Sequence, residues 1–306
     1  MNAAWFTLAR SRCRARAWFA AIICLVSMEL DPAVSAETPV ARGSYLVNTI
    51  MACGNCHSPR DNAGAVIADR ALSGGLTITT PSFTATAANI TSDRDTGIGD
   101  WTDAEIKRAL SDGVRPDHGP LPGVPLAAVM PVGFYKALLP ADLDAIVAYL
   151  RTVKPVRNVV PQPTYAAAVR REPYPEAEAG FAGADFTRPE RRGAYLVTIG
   201  HCMECHSTWS DGRSDYRNGL GRGGRPFGPA LVQGLGANWH GAIAPNITSD
   251  STSGLGGWSD AEIANAIRHG IARDGHHLAL PMAFAFYAGL RDQDVADIIA
   301  YLRTLR

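Results

Sequence analysis

The chain has 306 residues, with 29 basic and 29 acidic side chains and a formal net charge of zero, so nothing in its charge supports nucleic-acid binding. Its length allows about two domains of ordinary size. The six cysteines are more selective: Cys13 and Cys24 stand near the N-terminus and two short motifs consume the other four. No thiol remains for a disulfide, a catalytic nucleophile or an extra metal ligand.

In chain order, Arg10, Arg12, Arg14 and Arg16 precede an apolar run from Ala17 to Met28 and the small residues Val34-Ser35-Ala36. A basic stretch, a short apolar stretch and a small-residue site predict a secretory signal peptide over 1–36, cleaved after Ala36. The alternative is a retained anchor, but the run falls short of the ~20 residues that span a bilayer. Export predicts a periplasmic location. Removing 1–36 takes four arginines and two acids, which leaves a slightly acidic chain. No later segment reads as a span, so membrane contact is expected only through a partner.

From Arg42 onward the sequence repeats itself at a distance of about 150 residues. Arg42-Gly43-Ser44-Tyr45-Leu46-Val47 returns as Arg192-Gly193-Ala194-Tyr195-Leu196-Val197. Asn89-Ile90-Thr91-Ser92-Asp93 returns as Asn246-Ile247-Thr248-Ser249-Asp250, and the Gly-x-Gly-x-Trp stretch ending at Trp101 returns at Trp258. Ala148-Tyr149-Leu150-Arg151-Thr152 returns as Ala300-Tyr301-Leu302-Arg303-Thr304. The order is conserved between copies, so a domain has been duplicated: 37–154 and 190–306, joined by a connection over 155–189 punctuated by six prolines. Proline at that density favours an extended, semi-rigid connection.

Within each copy the helices announce themselves. Thr102 with Glu105, and Ser259 with Glu262, have the spacing of a capping box, which starts a helix just after each tryptophan. Leu143, Ile146, Val147 and Leu150, and likewise Val295, Ile298, Ile299 and Leu302, recur at helical spacing and predict a closing amphipathic helix. Residues 58–88 and 207–245 are rich in Gly, Pro, Ser and Thr and read as loops. No strand is expected, and the fold class predicted is all-α.

The chemistry lies in Cys53-Gly54-Asn55-Cys56-His57 and its copy Cys202-Met203-Glu204-Cys205-His206. Cys-x-x-Cys followed at once by His is the attachment pattern of c-type haem, with the thiols forming thioethers and the histidine ligating iron. A zinc site would have to pin two separate repeats together. Two covalent haems are therefore expected, held by Cys53, Cys56, Cys202 and Cys205, with His57 and His206 as proximal ligands.

For the opposite face of each iron, Met51 and Met203 are tied to the attachment side, which leaves Met130 and Met282. Each stands 18 residues before the alanine of the closing motif and ahead of an aromatic pair, Phe134-Tyr135 or Phe286-Tyr287. That shared register predicts Met/His ligation, an established axial set. The rivals are a core role for both methionines, and His118 or the pair His276-His277 as ligands, although these histidines do not occupy equivalent positions. Gly219-Leu220-Gly221-Arg222-Gly223-Gly224 matches a dinucleotide fingerprint, but Arg225-Pro226 follows where a helix should start. Asn89-Ile90-Thr91 and Asn246-Ile247-Thr248 match glycosylation acceptors, yet their place in the repeat suits a haem-contacting loop better.

Taken together, these motifs resemble the cytochrome c domains of the haem subunits attached to periplasmic alcohol, aldehyde and related dehydrogenases. The resemblance runs from about Gly43 to Arg303, twice over. It implies two tandem class I-like cytochrome c domains, an electron-donor dehydrogenase subunit as partner, and a downstream acceptor that is an oxidase, a quinone or another cytochrome. The chain has two motif copies where some such subunits have three. The function expected is electron transfer rather than catalysis. A dihaem peroxidase is the alternative and would need one open iron. A sulfur-oxidising haem enzyme with a cysteine ligand has no spare cysteine to use.

Overall fold

A proline at the first helical position opens each copy of the repeat, where its missing N–H costs nothing: α1 spans Pro39–Asn48 and α7 spans Pro189–Ile199. The computed structural model of the protein describes residues 37–210 and 212–306. The expected signal segment lies outside these residues, as do Cys13 and Cys24. The motifs form the short helices α2 (Cys53–His57) and α8 (Cys202–His206). Capping boxes at Thr102 and Ser259 start α3 (Asp103–Ser111) and α9 (Asp260–His269). Single-turn helices follow the two methionines, α4 (Val132–Tyr135) and α10 (Phe284–Tyr287), and the closing helices are α5 (Pro140–Leu150) and α11 (Asp292–Leu302). Between the copies, α6 (Pro175–Ala179) interrupts the proline-rich connection.

In each copy the opening helix crosses the closing one, α1 on α5 and α7 on α11. The repeated Arg-Gly pair explains how. A Cβ on Gly43 would overlap the backbone carbonyl of Ala145, and one on Gly193 would overlap that of Asp297. Only glycine admits backbones this close. The arginine beside it reaches a buried carboxylate on the closing helix: Arg42 pairs with Asp142 at 2.8 Å, and Arg192 pairs with Asp294 and Asp297.

Each of these ion pairs receives a tyrosine from the other copy. Tyr45 donates to Asp294, and Tyr195 donates to Asp142 at 2.5 Å. The same hydroxyls accept backbone N–H groups at the start of the opposite closing helix, Arg291 onto Tyr45 at 3.1 Å and Leu139 onto Tyr195 at 3.4 Å. Burial, and then the facing carboxylate, pushes Tyr45 up to about 12 and lifts Tyr195 further, so both remain donors. Buried charge is tolerated where its remaining lone pairs are satisfied, and here the second copy satisfies them. The contact is reciprocal, as in a two-fold interface within one chain.

A continuous apolar core fills the space between the copies. Leu46, Val47 and Ile50 meet Leu196, Val197 and Ile199 in one cluster, all at most 1% exposed. The connection contributes Tyr174, which is fully buried and stacks on Phe134 with ring centroids 4.5 Å apart.

Strands are present, against the all-α expectation. β1 (Thr77–Thr79) and β2 (Phe83–Thr86) lie in the first glycine-rich region, and β3 (Thr164–Tyr165) lies in the connection. In the second region, β4 (Thr208–Ser210) pairs with β5 (Arg213–Asp215), and β6 (Pro226–Phe227) pairs with β8 (Ala242–Ile243). β7 (Val232–Gln233) leaves its own copy and joins β1, so that an antiparallel sheet ordered β3-β2-β1-β7 crosses between copies. Segments of two to four residues are too short to show period-two alternation, and this pairing is long-range. The chain is thus helix-rich with small sheets.

The crossing geometry has a direct test. Gly43→Ala and Gly193→Ala should each lower stability by ~1–3 kcal/mol, as expected of overpacking against backbone, read as an earlier midpoint in chemical denaturation. An unchanged midpoint in both would mean that the helices do not cross this closely.

Candidate functional site: two Cys-x-x-Cys-His helices

On a helix, residues three and four apart share a face. α2 therefore presents Cys53, Cys56 and His57 together, and α8 does the same with Cys202, Cys205 and His206. The residue before each helix, Ala52 (φ 46°) or His201 (φ 43°), lies in the left-handed region, which non-glycine residues rarely adopt. This kink turns each motif sharply away from the preceding helix. It recurs in both copies despite the different side chains.

Burial dominates the electrostatics. It pushes Cys53, Cys202 and Cys205 up to about 12 and Cys56 up to about 11, so all four are neutral thiols at neutral pH. A zinc centre or a thiol redox pair would want lowered values. Among the described residues, no group of three or more His, Cys, Asp or Glu is placed to hold a metal ion by itself.

Both motif histidines are held in one tautomer. His57 Nδ1 lies 2.7 Å from the carbonyl of Ala88, and His206 Nδ1 lies 2.8 Å from that of Pro245. A carbonyl can only accept, so Nδ1 carries the proton and Nε2 keeps its lone pair, the arrangement of a ligating imidazole. Burial lowers both histidines, which favours the neutral ring that ligation requires. The donor set fits a thioether-linked haem: two neutral thiols and one free imidazole nitrogen on a shared face, twice.

The carbonyls come from the residues just before Asn89 and Asn246, which gives the repeated Asn-Ile-Thr a function. Asn89 Oδ1 accepts from the N–H and hydroxyl of Thr91 at 3.0 and 2.7 Å, and its Nδ2 donates to Val156 O at 2.8 Å. Asn246 repeats the turn with Thr248 at 2.8 and 2.7 Å. Asn89 and Thr91 are 3% and 0% exposed, so the first of these sequences is a buried turn and not a surface acceptor.

A cavity of about 350 Å³ gathers Cys202, Cys205, His206 and Met282. Cys56 and Asn55 of the first copy line it too, so the two motifs meet across the interface. Met130 and Met282 are both half-buried and stand two residues before the first residue of α4 and α10. The rival His118 is engaged elsewhere, with Nε2 at 3.0 Å from Glu105, the carboxylate that caps α3. His276 and His277 line the cavity but are exposed, and His276 Nδ1 is bound by Asp274 at 2.5 Å. The orienting carbonyls of Ala88 and Pro245 are absent from the sequence reading, although the repeated Asn-Ile-Thr pointed at them. Asn55 and Trp239, which bind the segment ahead of Met282, carry no repeat signal.

The family described as Cytochrome c matches residues 191–306. Among similar proteins, the fructose dehydrogenase cytochrome subunit of Gluconobacter japonicus is 31% identical over 302 residues, covering 90% of this chain and 54% of its own length. The gluconate 2-dehydrogenase cytochrome c subunit of Pantoea cypripedii is 29% identical over 291 residues, covering 87% of this chain and 59% of its own. A protein named diheme cytochrome c-type from Cereibacter sphaeroides is 31% identical over 262 residues, covering 82% of this chain and 81% of its own. The chain thus spans little more than half the length of those two dehydrogenase subunits.

The turn that orients His57 should be expensive to disturb. Asn89→Ala strands the buried Thr91 N–H, which should cost ~1–3 kcal/mol in denaturant unfolding. An unaltered unfolding midpoint would show that this turn is not needed to hold the loop.

Proposed function

The chain belongs to the cytochrome c family, and from that membership we propose that it is a dihaem electron carrier serving as the cytochrome subunit of a dehydrogenase. The observation that carries the reading is the duplicated donor set, in which each Cys-x-x-Cys-His helix has its histidine proton committed to a carbonyl and its Nε2 left free. Cys53 and Cys56 would tether the first haem and Cys202 and Cys205 the second, in two tandem cytochrome c domains. His57 and His206 would ligate from the attachment side, with Met130 and Met282 opposite. One-electron exchange is the chemistry that haem iron supplies when bound.

The protein's own part is to hold, orient and dry these centres. Carbonyls at Ala88 and Pro245 set the imidazole planes. Cys56 shares a cavity with Cys202 and Cys205, which favours electron exchange between centres within one body over exchange between diffusing molecules. The names of the similar dehydrogenase subunits support a dehydrogenase as donor; the acceptor we propose is an oxidase, a quinone or another cytochrome. The arginine-rich, apolar N-terminal segment supports export to the periplasm and cleavage after Ala36. We place membrane contact in a partner; among the described residues no helix is long and apolar enough to cross a membrane. With formal charge near zero, docking should weaken only moderately with salt.

Mature protein on a denaturing gel should keep covalent haem staining, and Cys53→Ala/Cys56→Ala should halve it. A mature protein without a Soret band would sink the reading. Met130→Ala should abolish the sulfur-to-iron absorption of the first ferric haem and admit carbon monoxide to its ferrous form, with Met282→Ala doing the same to the second. Substantial hydrogen peroxide turnover by the isolated wild-type protein would favour the peroxidase alternative instead.

A further inference from the structure

The segment that delivers Met282 is held by two side chains from outside it. Trp239 Nε1 donates to Leu280 O at 2.7 Å, and Asn55 Nδ2 donates to Pro281 O at 2.8 Å. Trp239 belongs to the second copy. Asn55 lies inside the first Cys-x-x-Cys-His motif, 226 residues earlier.

Asn55 is not free to turn. It is 8% exposed, and its Oδ1 accepts from Arg60 Nη2 at 2.6 Å. Arg60 Nη1 donates in turn to Gly64 O at 2.7 Å. That loop abuts the second copy, where Ala237 N–H donates to Asn62 O at 2.9 Å. With Oδ1 occupied, the amide must aim its N–H at Pro281, and a buried amide bonded on both sides has one orientation.

Among the described residues the arrangement runs one way. The counterpart of Asn55 in the second motif is Glu204, whose carboxylate lies 3.4 Å from Nδ1 of His201, the residue that precedes its own helix. The stretch ahead of Met130 is instead fastened by the connection: Tyr165 donates to Pro125 O at 2.7 Å and Arg171 donates to Leu126 O at 2.6 Å.

We infer that Asn55, held by Arg60, is a positioning residue for Met282, so that the attachment motif of the first haem sets the distal ligand of the second. This rests on Met282 being that ligand. A partner that orients a ligand commonly changes metal–ligand affinity by about 10–100-fold when removed, and the same is expected here for sulfur on the second iron. The effect crosses from one copy to the other, which a purely local role for Asn55 does not produce.

The test uses full-length holoprotein in a Met130→Ala background, where the remaining sulfur-to-iron band reports Met282 alone. Asn55→Asp keeps the size and the Arg60 contact but removes the donor to Pro281, and Asn55→Leu removes both bonds. With two covalent haems verified by mass, each should weaken the band and let added imidazole bind the second ferric haem about tenfold more tightly. Arg60→Leu, which lies outside the motif, should act in the same direction and carries the test if neither Asn55 variant matures. An unchanged band and imidazole affinity in the variants that mature would overturn the inference, as would an effect seen only on the first haem, read in a Met282→Ala background. If none of the three matures with two haems, the role is architectural and the inference is likewise overturned. If Met130→Ala/Met282→Ala retains the band, the ligand assignment itself fails, and the inference falls with it for that separate, recognisable reason.

Discussion

The close crossing of the opening and closing helices is the constraint on which the other features rest. Two helices can approach backbone to backbone only where one of them lacks a side chain, and Gly43 and Gly193 provide that. The approach brings an arginine on one helix against buried aspartates on the other. Isolated, such pairs lose in desolvation much of what they gain in attraction. They are completed here by Tyr45 and Tyr195, each reaching in from the opposite copy. The device that closes each repeat is thereby the device that joins the two, and neither half has its polar core fully satisfied alone.

That junction sets the environment of the site. Once the copies are clamped, the motif helices face one another across a shared apolar core, and burial keeps their thiols neutral. Histidines in the same environment are held uncharged and turned by loop carbonyls. On the proposed assignment, the protein contributes a dry, pre-oriented set of donors whose geometry is in place before any electron arrives. Such pre-organisation suits a carrier, because rigid surroundings reorganise little when one electron is added or removed.

The two stretches that share the repeated motifs are alike in sequence, but the fold does not treat them alike. The connection, through Tyr165 and Arg171, fastens the stretch ahead of Met130, whereas Trp239 and Asn55 fasten the one ahead of Met282. The strand Val232–Gln233 crosses to the first copy's sheet, and Asn55 reaches the second copy's methionine segment where Glu204 makes no matching reach among the described residues. Two motifs built from one plan therefore acquire different surroundings, which on the proposed assignment would separate the properties of otherwise identical cofactors.

Local chemistry was legible in the sequence wherever the cause was local. Cys-x-x-Cys-His placed thiols and imidazole on one helical face through spacing alone, Thr102-x-x-Glu105 and Ser259-x-x-Glu262 started their helices, and the stripe from Val295 to Leu302 marked a buried face, because capping and amphipathicity need only neighbours within a turn or two. Repetition added what one copy could not, nominating Met130 and Met282 as the ligands proposed above and flagging Asn-Ile-Thr, whose turn the structure shows. The tertiary structure decided everything that depends on residues far apart in the chain. Strands of two to four residues exist only because distant partners complete their hydrogen bonds, which is why no alternation betrayed them. The carbonyls of Ala88 and Pro245 are backbone atoms, and no side chain advertises them. Tyr45 with Asp294, and Asn55 with Pro281, are joined across more than two hundred residues. A one-dimensional pattern carries spacing, whereas those contacts follow from how two copies pack, and only folding brings them together.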